Sequence, residues 1–341
     1  MNKANDSKSC KNINNSNYNI QISLKCLIII LFNIILFIIA SFSNLKNTKN
    51  DFISNNQKTI PLNNENIIEN NTFLDKFENN VYNKIKIKLE SNKCSQMWGN
   101  QKEFLNGVIR KFRPKKIVEI GVAEGGGTCI ILNAIQDIEN AHLYSIDLSD
   151  SPKIGKCVRD LFPNLLNKWT LFTGNVAAKF LEQIGKDIDM VFIDSAHFEP
   201  GEILDFLIVL PFLKEGAIVG FHDIANQITH GGNNRNEWSP YIIFNLIRGK
   251  PFYPSGNILL KHDIGIKILE SNQKKYHHDY FRALGGQWQY FPKEKYIKLL
   301  IKYFKKYYDN DCSIIFSEAV EFNRNFVKKN PKIQLYRYNS D

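Results

Sequence analysis

The chain has 341 residues, 43% of them hydrophobic, which is enough for one domain of ordinary size with a sizeable core and further segments. The net charge is +10, but much of the excess is lysine near the C-terminus, so it only weakly favours an anionic partner. No RNA-binding motif is present, and nucleic acid is not an expected partner. The six cysteines show no CxxC or Cys/His spacing, so we expect neither a zinc site nor a disulfide framework.

The N-terminal region divides into a tail, an apolar segment and a linker. Residues 1–23 are rich in Asn, Ser and Lys and are predicted to be disordered. Residues 24–43, LKCLIIILFNIILFIIASFS, have the length and polarity of a transmembrane helix, which predicts a single-pass membrane protein with an N-terminal anchor. A cleaved signal peptide is the alternative, because small residues end the run. Lysines flank both sides, so the orientation stays open. Residues 44–72 are predicted to be a polar linker.

Strand and helix patterns alternate in the middle of the chain, after N-terminal helices predicted over 73–113. This alternation over 114–270 predicts an α/β fold with a Rossmann-like, doubly wound, mostly parallel sheet and helices on both faces. The predicted strands are 116–121, 142–147, 169–173, 189–194 and 216–221. The predicted helices are 126–137, 154–162, 176–185, 200–213 and 239–248.

Two features follow the predicted core. The extended runs 257–261 and 263–269 are predicted to be an antiparallel edge pair or one bent strand. Residues 271–341 are predicted to be a C-terminal helical extension. Within it, residues 293–308 have lysines on one helical face and apolar residues on the other. This pattern is typical of a helix packed on the domain, and an interfacial helix on anionic lipid is the alternative.

The first predicted strand runs into a glycine-rich turn in the segment VEIGVAEGGGT. Gly121 and Gly126 fit a dinucleotide-binding fingerprint, but Ala123 stands at its middle position, where a methyl group hinders approach of a pyrophosphate. The lysine that ends a P-loop is missing. Glu119 and Glu124 add negative charge to the turn. The turn therefore favours a ligand with positive charge, such as an amine or a sulfonium, over a phosphate.

Polar residues follow the second and third predicted strands. Asp147 ends the second strand about one βα unit after the glycines, where a carboxylate can accept hydrogen bonds from a ribose diol. The alternative role of Asp147 is to cap the next helix. Asn175 follows the third strand and can either cap a helix or bond an adenine edge.

Acids and histidines follow the fourth and fifth predicted strands. Asp194 ends an apolar run, and His197 lies three residues later. His222 and Asp223 are adjacent after the fifth strand, and His230 lies in the Gly/Asn-rich loop beyond them. Burying carboxylates is costly unless they are paired or bind a metal. We therefore predict that the residues at these strand ends form the catalytic site. His197 is either a base or a structural histidine.

Together these residues resemble the class I S-adenosylmethionine-dependent methyltransferases. The segment DMVFIDSAHFEPGEILDFLIVLPFLKEGAIVGFHD is similar to methyltransferase family 24, which includes sugar and small-molecule O-methyltransferases. Ala123 is the departure from the family's glycine pattern. The resemblance implies a methyltransferase that takes S-adenosyl-L-methionine and a small-molecule hydroxyl acceptor, such as a sugar. The alternatives are an NAD(P)-dependent oxidoreductase and a non-catalytic, membrane-tethered binding protein.

The resemblance also implies roles for individual residues. Those expected to hold the cofactor are Glu119, Gly121, Ala123, Glu124, Gly125, Gly127, Asp147 and Asn175. Those expected to hold a divalent ion such as Mg²⁺ are Asp194, His222 and Asp223. Asp194 and His197 are the expected catalytic residues, with His197 as the base that takes the proton of the acceptor hydroxyl.

Overall fold

The computed structural model describes residues 74–95, 97–225, 239–255 and 263–329. Within these ranges, no helix combines the length and the apolar character needed to cross a membrane. The predicted tail, membrane segment and linker, together residues 1–72, lie outside the described residues. The anchor and its alternative therefore stay predictions.

The described residues form one seven-stranded sheet. Its strands are Lys116–Ile120 (β1), His142–Asp147 (β2), Trp169–Thr173 (β3), Ile188–Ile193 (β4), Leu213–His222 (β5), Gly249–Phe252 (β6) and Ile264–Leu269 (β7). The strand order is β3-β2-β1-β4-β5-β7-β6. Strands β1 to β5 pair in parallel, and β7 is antiparallel to both β5 and β6. The predicted Rossmann-like, mostly parallel sheet is confirmed, and its connections reverse direction between β1 and β4.

Apolar residues on both faces of the central strands explain why the sheet lies between two layers of helices. Val118 and Val191 pack into one hydrophobic cluster, whereas their neighbours Ile117 and Met190 pack into the other. Successive side chains of a strand point to opposite faces, so a strand covered on both faces is apolar throughout. This pattern made the central strands predictable from the sequence.

Helices cover both faces of the sheet. In the described residues they are Asn79–Ser91 (α1), Gly99–Phe112 (α2), Gly126–Ile135 (α3), Lys156–Leu161 (α4), Leu181–Ile184 (α5), Gly201–Val209 (α6), Ser239–Leu246 (α7), His277–Arg282 (α8), Glu294–Tyr307 (α9) and Asn310–Lys329 (α10). Helices α1 to α4 contribute to one hydrophobic cluster, and α5 to α10 contribute to the other. The predicted helix 200–213 is shorter in the structure, because the chain turns into a 3₁₀ helix at Leu210–Phe212 that contains Pro211.

The antiparallel edge of the sheet differs from the prediction. The predicted run 263–269 forms β7, but its partners are β5 and the strand Gly249–Phe252 (β6), which the sequence did not predict. Strand β6 has only four residues, and one of them is Pro251, so its strand pattern is weak. The run 257–261 lies outside the described residues.

Helix α9 packs on the domain through its apolar face. Ile297, Leu300 and Phe304 are at most 2% exposed and belong to the hydrophobic cluster on that side of the sheet. Tyr303 donates a hydrogen bond to the carbonyl oxygen of Ile208 at 2.6 Å. The apolar face is thus covered by protein, which agrees with a packed helix whose lysines lie in solvent.

A disulfide bond corrects the prediction drawn from the cysteines. Cys94, in the α1–α2 loop, is bonded to Cys157 in α4, 63 residues away in the sequence. The bond depends on packing of the α1–α2 loop against α4, and cysteine spacing alone carries no sign of such a contact. Cys129 and Cys312 are buried free thiols, as expected for them.

Candidate active site

The candidate site lies where the sheet connections reverse, beyond the carboxyl ends of β1 and β4. Gly121 follows β1 and Asp194 follows β4. Gly121 has a φ of +88°, and a Cβ atom there would lie 1.9 Å from the carbonyl oxygen of Asp194. Only glycine allows this approach and this backbone conformation together. The glycine turn and the first acid of the site therefore lie side by side.

Asp147 holds the glycine turn through the backbone. Its Oδ2 accepts hydrogen bonds from the N–H groups of Val122 at 2.9 Å and Ala123 at 3.1 Å. Its Oδ1 accepts one from the N–H of Ser149 at 2.9 Å. The residue is half-buried, and each carboxylate oxygen can accept two hydrogen bonds. Asp147 can therefore organise the turn and still accept a bond from a ligand hydroxyl.

Glu119 lies beneath the same turn and is only 2% exposed. Its Oε2 accepts hydrogen bonds from the hydroxyls of Thr128 at 2.8 Å and Ser145 at 2.6 Å. Burial raises the pKa of Glu119 to about 8, although both hydroxyl bonds act against this shift. Its Oε1 lies 3.2 Å from the position that a Cβ on Gly127 would occupy. Glu119 thus lies directly beneath the turn. The absence of a side chain at Gly127 leaves space next to the carboxyl group of Glu119.

The other predicted cofactor residues surround this turn. Gly125 has a φ of +92° and directly precedes the first residue of α3. Glu124 is exposed, and its carbonyl oxygen accepts a hydrogen bond from the N–H of Cys157 at 2.8 Å. The N–H of Gly174 donates to the carbonyl oxygen of Asp147 at 3.1 Å, which brings the neighbouring Asn175 to the same edge of the sheet. A glycine-rich turn, a helix N-terminus and an acid at the end of β2 together fit an adenosyl amino acid.

The predicted acids and histidines form one cluster. Oδ1 of Asp194 lies 3.5 Å from Nδ1 of His222 and 4.0 Å from Nε2 of His197. Asp223 lies between the two histidines, with Oδ2 at 2.9 Å from Nδ1 of His197 and Oδ1 at 3.3 Å from Nδ1 of His222. The structure therefore brings together all four residues that the strand ends indicated.

The charges of this cluster are strongly coupled. Burial lowers the pKa of His197, but the carboxylates of Asp223, Glu202 and Asp194 outweigh burial and raise it to about 10. The pKa of His222 is also raised, because Asp194 and Asp223 outweigh its burial. Burial raises the pKa of Asp223, but the two histidines outweigh burial and hold it well below its usual range. Both histidines therefore lie among negatively charged carboxylates. The same negative charge can attract a metal cation.

The donor atoms of the cluster fit a divalent cation. Two overlapping groups, Asp194/His197/Asp223 and His222/Asp223/Asp263, each place their donor atoms within 4.8 Å of one another. Nδ1 of His222 lies 3.3 and 3.5 Å from carboxylate oxygens of two different residues. Such separations are those of neighbouring ligands around one ion at about 2.2 Å from each. Oxygen and imidazole donors together suit a divalent metal.

Three buried residues of the site were missed by the sequence analysis, and one of them is Asp263 of the second donor group. Glu202, in the first turn of α6, is 0% exposed, and its Oε1 accepts the backbone N–H of His197 at 2.6 Å. Gln101, in the first turn of α2, lies 3.2 Å from Nε2 of His222. For Glu202 the sequence offered a weak signal, an acid five residues after His197. For Gln101 it offered no signal, because this residue is 121 residues from His222. His230 lies outside the described residues and stays a prediction.

Comparison with known protein families gives a match that includes most of the parallel sheet. Residues 118–224 match a family model described as a methyltransferase domain, family 24. This match confirms the resemblance to class I S-adenosylmethionine-dependent methyltransferases. The matched segment supports a methyltransferase enzyme, which is the activity that the resemblance implies. No curated protein matches the chain.

Solved structures with a similar fold include three methyltransferases. An O-methyltransferase from Bacillus cereus in complex with S-adenosylhomocysteine is 16% identical, with a TM-score of 0.43 over 59% of this chain and 99% of that chain. The O-methyltransferase TomG from Streptomyces achromogenes, in complex with S-adenosylmethionine, is 14% identical, with a TM-score of 0.43 over 62% and 100%. The S-adenosylhomocysteine-bound methyltransferase PaMTH1 from Podospora anserina is 15% identical, with a TM-score of 0.41 over 63% and 99%.

Proposed function

We propose that the chain transfers the methyl group of S-adenosyl-L-methionine to a hydroxyl of a small molecule, such as a sugar, with help from a divalent ion. The observation that carries this proposal is the convergence of Asp194, His197, His222 and Asp223 directly beside the glycine turn. A neutral hydroxyl is a poor nucleophile, and it needs a metal or a base to activate it. The cluster offers both a metal site and a base, whereas a more reactive acceptor would need neither of them.

The residues have separate parts in this reaction. When bound, the donor supplies a methyl carbon on a sulfonium, and a divalent ion lowers the pKa of a hydroxyl bound to it. Asp194, His222 and Asp223 would hold the ion. Glu202 and Asp223 lie on the Nδ1 side of His197, which leaves Nε2 towards the acceptor. The positive charge of an ion bound beside Asp194 and Asp223 would lower the raised pKa of His197, so that Nε2 could take the hydroxyl proton. The acceptor oxygen bonds to the methyl carbon as the carbon–sulfur bond breaks, and that electron pair stays on sulfur.

Transfer from a donor with a labelled methyl group tests the proposed reaction. The purified full chain is incubated with the labelled donor and a panel of sugars and phenols, with and without EDTA. We expect label on an oxygen atom, loss of transfer with EDTA, and recovery when Mg²⁺ or Mn²⁺ is added in excess. Label on nitrogen, or transfer that EDTA leaves unchanged, would contradict O-methylation or the metal assignment respectively.

We propose further that the chain is attached to a membrane through residues 24–43. The support is the mostly apolar composition of this run, which has Lys25 at its edge and Asn33 inside, and a length that matches a bilayer core. The side on which the catalytic domain lies is a separate matter. The Cys94–Cys157 bond favours a catalytic domain in an oxidising compartment. The methyl donor is made in the cytosol, which favours a catalytic domain on the cytosolic side. Membrane fractionation with alkaline carbonate extraction tests the anchor, since an anchored chain stays in the pellet and a chain released by signal cleavage does not.

A further inference from the structure

Gln101 connects helix α2 to the acid–histidine cluster, which consists of Asp194, His197, His222 and Asp223. The residue is 1% exposed and lies in the first turn of α2, outside the segment that matches the methyltransferase family. Its Oε1 lies 3.2 Å from Nε2 of His222, which is itself buried. The contact joins the helices before the sheet to the last residue of β5.

The orientation of the Gln101 amide follows from a second bond. The backbone N–H of Trp98 lies 2.7 Å from the same side-chain atom, Oε1. A backbone N–H can only donate, so the atom that it contacts must be the amide oxygen. An amide oxygen can only accept. Its contact with His222 therefore requires a hydrogen on Nε2 of the imidazole.

This hydrogen decides what the other ring nitrogen can do. Nδ1 of His222 faces carboxylate oxygens of Asp223 at 3.3 Å and Asp194 at 3.5 Å. With Nε2 protonated, Nδ1 either carries a second proton or presents a lone pair to two anionic oxygens. A lone pair among anions is favourable only when a cation lies between them. The cation then replaces the Nδ1 proton.

We propose that Gln101 is a positioning residue that fixes His222 with a hydrogen on Nε2, so that Nδ1 is the atom offered to the divalent ion. The proposal rests on the metal site of the proposed function. Outer partners of this kind orient the ligand imidazole, and their loss typically weakens metal binding by about 10–100-fold. Gln101 would then make metal affinity depend on the packing of α2.

Two variants of the full chain separate positioning from a general structural role. Gln101→Glu keeps an oxygen acceptor for both Trp98 and His222, whereas Gln101→Leu removes it. Glu103→Gln, on the same helix, is the matched control. Calorimetric titration with Mn²⁺ should show about 10–100-fold weaker binding for Gln101→Leu, and unchanged or tighter binding for Gln101→Glu and the control.

Nitrogen-15 spectra of the metal-free chain provide a readout that does not depend on the ion. The Nε2–H signal of His222, assigned with His222→Ala, should be protected from exchange in the wild type and in Gln101→Glu, and lost in Gln101→Leu. If Gln101→Leu does not fold, Gln101→Asn takes its place, because its shorter side chain cannot reach His222.

An unchanged His222 signal or unchanged Mn²⁺ affinity in the variant without the acceptor would overturn the proposal. A protected signal in a wild-type chain that binds no Mn²⁺ would instead overturn the metal site on which the proposal rests. Loss of methyl transfer with normal Mn²⁺ binding and a normal His222 signal would contradict the proposed reaction alone.

Discussion

Asp147 shows how one carboxylate can serve both the fold and a ligand. It accepts the N–H groups of Val122 and Ala123 and so fixes the turn that follows β1. The φ of Ala123 is +47°, a conformation that costs a residue with a Cβ some strain, and the bond from Asp147 helps to hold it. The sequence indicated either a ribose ligand or a helix cap at this position, and the structure shows a third role within the turn.

Replacement of Asp147 is expected to weaken cofactor binding. Asp147→Ala removes both the turn bonds and the acceptor for the ribose, and charge-assisted hydrogen bonds are each worth about 1.5–3 kcal/mol. We therefore expect affinity for S-adenosylmethionine to fall by about 10–100-fold in calorimetry. The exposed neighbour Asp150 serves as the control, and Asp150→Ala should bind normally. Unchanged affinity in Asp147→Ala would remove this residue from the cofactor site.

Individual site residues differed in how far the sequence could reveal them. Asp194, His222 and Asp223 directly follow or end apolar strands, so their meeting at one edge of the sheet could be predicted. Gln101 reaches the same cluster only because the first turn of α2 lies beside the end of β5, and no sequence pattern encodes that contact. Glu202 could be located on a helix, but its hold on the backbone of His197 depends on the turn between them.

At the scale of elements, the α1–α2 loop braces the glycine turn from outside the sheet. A Cβ on Gly126 would lie 2.1 Å from the carbonyl oxygen of Cys94, so the loop and the start of α3 are in close contact. Cys94 is bonded to Cys157, whose N–H donates to the carbonyl of Glu124 in the turn. The disulfide therefore joins the α1–α2 loop to α4, and both of these elements contact the glycine turn.

Loss of the disulfide is expected to lower stability. The double change Cys94→Ser and Cys157→Ser releases a 63-residue loop, and a bond of this kind contributes about 2–4 kcal/mol. Urea unfolding should therefore show a lower midpoint for the double variant, and dithiothreitol should lower the wild-type midpoint to a similar value. The double variant itself should not respond to the reductant. A wild-type midpoint that dithiothreitol leaves unchanged would show that the two cysteines are not bonded.

The elements also differ in how well the sequence predicts them. Strands β2 and β3 have the predicted bounds, because polar or turn-forming segments border each apolar run. The predicted helix 176–185 is instead a 3₁₀ turn at Ala177–Lys179 followed by the short helix α5. Apolar spacing gives the buried face of such a segment, but it does not distinguish a continuous helix from two short turns.

At the scale of the whole molecule, buried carboxyl groups should make stability depend on pH. Burial raises the pKa of Glu119 to about 8 and that of Glu199 to about 7. Burial also raises the pKa of Asp205 to about 7, although the hydroxyl of Ser195 acts against this shift. A carboxyl whose pKa is higher in the folded state stabilises the fold below its unfolded pKa. This contribution is lost as the pH rises through the folded value.

The free energy of unfolding should therefore fall as the pH rises from 5 to 9. Each pKa unit corresponds to about 1.4 kcal/mol, so the fall should amount to a few kcal/mol. Glu119→Gln has no charge to bury and should show a smaller fall over the same range. Urea unfolding at pH 5, 7 and 9 measures both chains. Stability that rises with pH in this window would contradict the burial of these groups.

The two halves of the candidate site lie at one edge of the sheet but use different residues. In the proposed reaction, the glycine turn and Asp147 bind the donor, and the acid–histidine cluster activates the acceptor. Because the backbone carbonyl of Asp194, and not its side chain, makes the close approach to Gly121, the side chain of Asp194 can be changed without filling the turn. The central claim is that loss of the Asp194 side chain stops methyl transfer but leaves the affinity for the methyl donor unchanged.

Methyl transfer by Asp194→Asn, at a donor concentration shown by calorimetry to saturate the variant, tests this claim most directly. We predict a loss of transfer of at least about 100-fold, with donor affinity close to that of the wild type. Asp187→Asn, which changes an exposed acid just before β4, should retain full activity. Transfer by Asp194→Asn at a rate near that of the wild type would contradict the account.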